Sequence, residues 1–449
     1  MKLSQEKEKF LGTEKIGKLL TKMSIPAIIA MLVNALYNVI DAVFLGHKVG
    51  HNAIGGLTIA FPFQMLIVAF AFMFGTGAAS VISRKLGAGE KETANKAASN
   101  TIFLSLVFSL LIIIPGYLFL DNILRVFGAS AALLPYTREY MSVILTGTFF
   151  ITTAMSLNNV IRAEGQAAFA MLTMMIGTVS NIVLDYIFIY PLNMGIKGAA
   201  VATVIAQILS FLFIIYYFSS GKSTLKIKFS YFKPEFKLLK EIISLGIPAL
   251  ARQGGMSIIL VIMNNQLGKY GSDLYISIFG IGFRILHFVL MPLFGLVQGV
   301  QPIAGYNYGA KNYQRVKAVV KLAITVSTII AGVSFVIIML FPGKLLQIFT
   351  SDNTLISAGI PVLRIVVLII PLLGIQIIGS IYFQAIGKAI PAFILGLSRQ
   401  FILLLPIVLL LPPLFGLWGV FLSFPITDFF ATLLTGIWLL IDLKNLDKE

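Results

Sequence analysis

The chain has no cysteine, and only 12% of its 449 residues are charged. Without cysteine there are no disulfides and no thiolate-held metals, although this says little about compartment for a chain that sits in a bilayer. So little charge excludes an ordinary soluble surface, since soluble domains average about 25% charged residues. Acidic residues are the scarcer sign, 18 Asp and Glu against 34 Lys and Arg, for a formal net charge of +16. Long polar stretches are also missing. The longest runs from Ser219 to Lys240, which leaves no room for an attached enzymatic or DNA-binding module.

The chain is instead apolar, at 58% hydrophobic residues. Stretches long enough to cross a bilayer, about 18 residues or more, begin near Met23, Gly55, Ala97, Leu133, Ala167, Gly195, Ile242, Leu274, Val319, Ile356, Ile390 and Gly416. An all-α integral membrane protein with twelve transmembrane helices is therefore expected. The first 22 residues carry six lysines among polar residues and no apolar core with a cleavage site, so they read as a cytoplasmic segment and not as a signal peptide.

The basic excess resolves into topology. With the N-terminus in the cytoplasm, cytoplasmic segments hold 25 of the 34 Lys and Arg, Lys388 and Arg399 among them. Outer segments hold seven, and Arg252 and Arg284 fall inside predicted helices. This bias puts both termini in the cytoplasm. It also accounts for the net charge without nucleic acid, which is not expected as a partner.

One offset aligns the chain with itself. Ser24-Ile25-Pro26 falls on Gly246-Ile247-Pro248, Gly77 on Gly299, Gly87-Ala88 on Gly309-Ala310, and Ala163 to Ala167 on Ala385 to Ala389, each 222 positions later. Gly195 and Gly198 fall on Gly416 and Gly419, at 221. The expected organisation is a cytoplasmic segment (1–22), a six-helix lobe (23–220), a cytoplasmic linker (221–240), a second six-helix lobe (241–441) and a tail (442–449). Six spans per half make the halves parallel, related by a pseudo-two-fold axis along the membrane normal. That is the architecture of parallel-repeat transporters working by alternating access. A channel would repeat its polar selectivity elements around the axis, and here they are not repeated.

At 100° per residue, Asn34, Tyr37, Asn38 and Asp41 share an arc of about 100° on the first helix. In the fifth helix Thr178, Asn181 and Asp185 share a face, and in the sixth Thr203, Gln207 and Ser210 do. A lone carboxylate in the membrane costs roughly 2.5–3.5 kcal/mol, which it lowers by protonating, pairing or facing water. Asp41 and Asp185 are the acidic residues well inside first-half helices. Facing one another with Asn181 and Thr203, they would offer oxygens for one proton or a small monovalent cation such as Na⁺. The plainer alternative places Asp41 at the interface, five residues before Gly46. Under the repeat, Asn34, Asp41, Asn181 and Asp185 become Met256, Met263, Leu403 and Ile407. The second half lacks the whole set, which concentrates coupling chemistry in the first.

The second half has its own polar residues, including Arg252, Gln253, Arg284, His287, Gln298, Gln301 and Asp428. Asp428 is expected to neutralise Arg252 or Arg284 as a structural ion pair. His287 is either a proton relay or a ring satisfied by a backbone carbonyl. Met155, Met171, Met174, Met175, Phe149 and Phe150 either line an adaptable apolar pocket or serve as ordinary packing. Candidate substrate-cavity residues are Asn34, Tyr37, Asn38, Gln207, Met155, Met174, Arg284 and His287.

SRKLGAGEKETANKA (Ser83 to Ala97), MPLFGLVQGVQPIAGYNYGAKN (Met291 to Asn312), IRAEGQA (Ile161 to Ala167) and NIVLDYIFIYPLNMGIKGAAVAT (Asn181 to Thr203) resemble the multidrug and toxic compound extrusion (MATE) family over almost the full chain. The resemblance implies a plasma-membrane efflux pump with two lobes in a V. It would exchange hydrophobic cationic drugs or toxic metabolites for H⁺ or Na⁺, embedded in lipid, with no cofactor and no enzymatic activity. Position by position, Asp41, Asn181, Asp185 and Thr203 match the family's first-lobe cation network, with Tyr140 as a hydrogen-bond neighbour. A branch of the family places acidic residues in the seventh and tenth helices, whereas here Gly254-Gly255-Met256 and the tenth helix from Ile356 to Gln384 contain none, so a second-lobe Na⁺ site of that type is not expected. The alternatives are a major-facilitator-type exporter, whose loop after the second helix has clustered arginines that SRKLGAGEKETA lacks, and a lipid-precursor flippase of the wider superfamily. No metal-ligand cluster, nucleophile with base, or paired histidine supports an intramembrane enzyme.

Overall fold

The structure is a computed structural model that describes the backbone of residues 10–48 and 51–446, and within these all side chains except those of 35–48, 51–54, Phe229 and Ser257. Among the described residues every regular element is helical, and twelve helices are long and apolar enough to cross a membrane. They are α1 (Ile16–Lys48), α2 (His51–Gly87), α3 (Lys91–Leu118), α4 (Leu134–Ala163), α5 (Ala167–Ile189), α6 (Gly195–Ser219), α7 (Phe236–Tyr270), α8 (Asp273–Gly309), α9 (Tyr313–Leu340), α10 (Asn353–Ala385), α11 (Ala389–Leu410) and α12 (Pro412–Asn445). α1 begins at Ile16, ahead of the apolar run that starts at Met23, because Leu19 and Leu20 are already buried. α10 is broken between Val366 and Leu373 around Pro371. Large apolar side chains such as Leu111, Leu118, Leu410 and Leu440 stay exposed and form a lipid-facing shell.

The helices form two six-helix lobes that exchange their first members. α1 packs against α5 of its own lobe and also against α8 of the other, and α7 packs against α2. The repeat maps one crossing onto the other. Glycines make these crossings tight: a Cβ on Gly77 would overlap the Ile242 carbonyl oxygen, one on Gly246 the Met73 carbonyl, one on Gly87 the Tyr306 carbonyl and one on Gly309 the Arg84 carbonyl. Gly77 and Gly87 correspond to Gly299 and Gly309, and Gly299 in turn has no space for a Cβ beside Ser24. Small residues of this kind let membrane helices approach backbone to backbone.

Polar bonds follow the same seam. Ser80 donates to the Gln384 carbonyl, Gln301 Nε2 to the Thr76 carbonyl (3.0 Å), and Gln384 Nε2 to Thr76 Oγ1 (3.2 Å) and the Leu245 carbonyl (2.6 Å). Ahead of α1, the Leu11 carbonyl accepts from Asn307 Nδ2 (3.0 Å), and Arg315 Nη2 donates to the carbonyls of Leu11 and Glu14. Ahead of α7, Glu235 N–H donates to Asn100 Oδ1 (3.1 Å) and Lys96 pairs with Glu235 at 2.9 Å. The segment leading into each lobe is therefore tied to the end of the other lobe's second hairpin.

The repeat also governs turns. Gly165 and Gly387 both have positive φ (86° and 87°), as do Gly195 and Gly416 (59° and 56°). After α2, Gly89 N–H bonds the Leu86 carbonyl and Glu90 N–H that of Lys85; after α8, Lys311 bonds Tyr308 and Asn312 bonds Asn307. Lys311 thus holds φ 58° where the first lobe uses Gly89 at 78°. A left-handed conformation costs an L-residue roughly 1–2 kcal/mol, partly offset by the freedom glycine gains when unfolded. Lys311→Gly should therefore stabilise the protein by about 0.5–1 kcal/mol, which a rise in apparent Tm of the purified protein would show.

The basic linker is held down. Glu164, buried between α4 and α5, accepts from Tyr217 Oη (2.7 Å), from the Ser223 hydroxyl, from the Thr224 N–H and hydroxyl (2.7 and 2.8 Å) and from the Leu225 N–H. Asn95 Oδ1 accepts from Lys226 N–H at 2.8 Å. Burial pushes the Glu164 carboxyl up from the usual carboxylate range, and its donors pull it only partly back. With the folded-state value above the unfolded one, the contribution to stability is complete below the unfolded value and lost as pH rises through the folded one. Glu164→Gln should remove that slope, so that its Tm changes less than the parent's between mildly acidic and neutral pH. The same variant, with fewer donors matched, should release the linker to trypsin at Lys222, Lys226 and Lys228.

Candidate functional site

α5 shows two chemistries on one helix. Asn181, Asp185 and Thr178 are 4%, 1% and 7% exposed, while Val179 and Val183 between them are 49% and 51% exposed. The 3.6-residue period sends these three polar groups inward and the two valines outward. This buried face meets α1 and α6. On α6, Thr203 and Gln207 are half-buried and the Ser210 hydroxyl donates to the Thr173 carbonyl at 3.1 Å. The face of α6 that carries Gln207 also meets α4, where Gly147 leaves no Cβ: one there would stand 2.7 Å from Gln207 Oε1 and 2.8 Å from a Val204 methyl.

Tyr140 sits on α4 with its ring 4% exposed, and its hydroxyl accepts from Gln64 Nε2 of α2 at 3.0 Å. Asn34, on α1, is half-buried. The other three residues of that stripe, Tyr37, Asn38 and Asp41, lie on the helical backbone of α1, and their side chains are outside the described residues. Met155 and Met174 are half-buried, and Phe149, Phe150 and Phe211 form an aromatic triad with ring centroids 5.5–5.7 Å apart. α5 and α6 thus bring Asn181, Asp185, Thr203 and Gln207 into one lobe interior against α1. Arg284 and His287 stand apart on α8, both exposed, with His287 stacked on the Phe283 ring (6.2 Å, 20°). The oxygens of Asn181, Asp185 and Thr203 are amide, carboxylate and hydroxyl, a hard donor set suited to a proton or an alkali cation.

Asp428 does not pair with Arg252 or Arg284. Its carboxylate takes a bidentate bond from Arg399, Nε to Oδ1 at 2.6 Å and Nη2 to Oδ2 at 3.3 Å. Arg399 lies within α11, ten residues past its start, and so is not a cytoplasmic loop charge as its neighbours suggested. The wider winding of Ser398–Leu404 carries it into the lobe beside α12. Arg252 instead reaches Gln384 Oε1 at 3.5 Å. Sequence reading passed over Gln64, Gln384 and Arg162. Gln64 is a single polar residue in an apolar run, whereas Arg162 and Gln384 each continue a polar stripe, Arg162 after Asn158 and Gln384 after Gln376 and Ser380, and the repeat pairs the two. Arg162 is buried on the side chains of Asn158 and Asn159.

Two parallel six-helix lobes around a repeat axis, one of them with a buried acidic and amide ridge, define a multi-pass membrane transporter and not an enzyme. The MatE family model matches residues 26–187 and again 248–410, one copy per lobe. The chain belongs to the MatE family, which sets the major-facilitator arrangement aside. It is 28% identical over 436 residues to "Multidrug export protein MepA" of Staphylococcus haemolyticus (strain JCSC1435), covering 97% of this chain and 96% of that one. Among solved structures it resembles "Outward-facing conformation of a multidrug resistance MATE family transporter of the MOP superfamily" (TM-score 0.92, 29% identity, 98% of each chain). It also resembles "Crystal structure of MATE in the bent conformation" (TM-score 0.93, 29% identity, 99% of this chain and 98% of that one).

Gly147→Val should push Gln207 away from α4 and overpack the α4–α6 crossing, at a cost of about 1–3 kcal/mol. A lowered Tm with Gly147→Ala intermediate between parent and valine variant is the expected result.

Proposed function

We propose that the chain is a secondary active antiporter that exports hydrophobic organic cations in exchange for H⁺ or Na⁺ by alternating access. The carrying observation is the ridge Thr178, Asn181 and Asp185, buried to within a few per cent on a helix whose other face is open to lipid. A membrane helix bears a buried carboxylate at a cost of roughly 2.5–3.5 kcal/mol, and its exchange of a cation gives that cost a use. The MepA relative carries multidrug export in its name. In this reading the protein lies in the plasma membrane with both termini cytoplasmic, and its lobes, linker and tails divide at 23–220, 221–240 and 241–441.

Asp41, Asn181, Asp185 and Thr203 hold the coupling ion, Na⁺ or a proton shared between the carboxylates, with Tyr140 as a neighbour held by Gln64. Asn34, Tyr37, Asn38, Gln207, Met155 and Met174 border the drug cavity on the first-lobe side, and Arg284 and His287 border it from α8. α1 supplies the mechanical link, because it touches both α5 and the other lobe's α8. Ion binding that changes how α1 sits against α5 also changes its seat on α8. Ion and cationic drug compete for the same negative potential, so each favours the state from which the other has left.

Couplings of about 1–3 kcal/mol correspond to roughly 5–150-fold in affinity. Asp185→Asn and Asp41→Asn should therefore each cut gradient-driven ethidium transport in proteoliposomes by an order of magnitude while the protein stays monodisperse. Transport retained in both would remove the ridge from the mechanism. The same vesicles driven by a pH gradient alone, then by a Na⁺ gradient alone, identify the ion.

A further inference from the structure

The second lobe treats its one interior carboxylate differently from the first. Among the described residues Asp428 is the sole fully buried acidic residue of α7 to α12, at 3% exposed. Both of its oxygens are taken by Arg399. By the repeat, Arg399 stands at Gly177 and Asp428 at Gln207. In the first lobe that crossing is neutral: Gly177 is pressed against the Ser210 hydroxyl and Gln207 faces Gly147. The first lobe keeps its carboxylate two turns further along α5, at Asp185, where the repeat puts Ile407. The position of Asp41 is occupied by Met263, fully buried in an apolar cluster.

The charges around Asp428 are all positive. Besides Arg399 on its own neighbour α11, α7 presents Arg252, whose carbonyl accepts from Gln400 Nε2 at 3.2 Å and whose guanidinium reaches Gln384 of α10. Neither α10 nor α12 brings another acidic group to this level. A free cation arriving here would have to displace a tethered guanidinium from a bidentate bond, in a lobe whose interior is already net positive.

We infer that Arg399 is a built-in counter-ion: it fills permanently, for Asp428, the place that an exchangeable cation fills in the first lobe, so the second lobe takes up no coupling ion. This rests on the coupling reading above. The pair is then a fixed charge arrangement within the lobe, not a part of the cycle.

The only two tryptophans, Trp418 and Trp438, lie on α12 ten residues either side of Asp428, so emission from the full chain reports on this lobe. Arg399→Gln strands a buried carboxylate, which neutralises itself by taking up a proton. Titrated between about pH 5 and 8, this variant should show an emission transition that is missing from the parent, from Arg399→Lys and from the double variant Arg399→Gln/Asp428→Asn. The double variant, an uncharged pair in place of a buried ion pair, should transport ethidium within about twofold of the parent and with an unchanged ion-to-drug ratio. If Arg399→Gln alone fails to fold, recovery of monodisperse protein by adding Asp428→Asn supports the same assignment. Three results overturn it: a flat titration in folded Arg399→Gln, a transition in the parent that Asp428→Asn abolishes, or a double variant that folds but has lost coupling. Asp185→Asn assayed alongside separates the two ideas. If it still transports, the coupling reading falls, while the fluorescence result on Arg399 stands or falls by itself.

Discussion

Backbone-to-backbone approach between the lobes is the constraint from which the rest of the structure follows. Where α2 meets α7 and α8, carbonyl oxygens of Ile242 and Tyr306 occupy the space that any side chain on Gly77 or Gly87 would need, and the reciprocal crossings use Gly246 and Gly309. Membrane helices gain little from apolar association as such, so contact of this kind depends on close packing and a few hydrogen bonds. The bonds are supplied by Thr76, Ser80, Gln301 and Gln384, which is fully buried and serves partners on α2 and α7 together. The seam also buries apolar side chains of both lobes together: Met73 and Phe74 pack in one cluster with Ile242 and Leu245, and Leu19 and Met23 in another with Leu296 and Val300.

The exchanged first helices are the elements that touch both lobes. α1 packs against α5, which carries the acidic ridge, and against α8 of the other lobe. The linker is fastened to the first lobe at both ends, by Glu164, Asn95 and Asn100.

Much of this was legible in the sequence for two reasons. A bilayer favours long helices, and duplication repeats several of the turns between them: the same offset that aligned Gly165 with Gly387 returned the same positive φ in both. Helical period was enough to put Thr178, Asn181 and Asp185 on one face, and burial agrees with it residue by residue. Arg399 was misplaced because charge near the expected helix start looks like a loop charge, and only the wider winding of its segment and the position of Asp428 bring it inside. Gln384 could not be singled out because its importance comes from three partners distant in sequence, at Thr76, Leu245 and Arg252. Periodicity sees faces of one helix and cannot see what stands opposite them.

Two parallel six-helix units, each lending its first helix to the other across the axis that relates Gly87 to Gly309, have the geometry of an isologous dimer with swapped elements. A dimer of identical chains would carry every intramembrane charge twice. Fusion through the linker lifts that restriction: the glycines that hold the units together are still paired, while Asp185 has Ile407 as its repeat counterpart and Gly177 has Arg399. The joined chain is therefore symmetric at its glycine seam and asymmetric in its intramembrane charge.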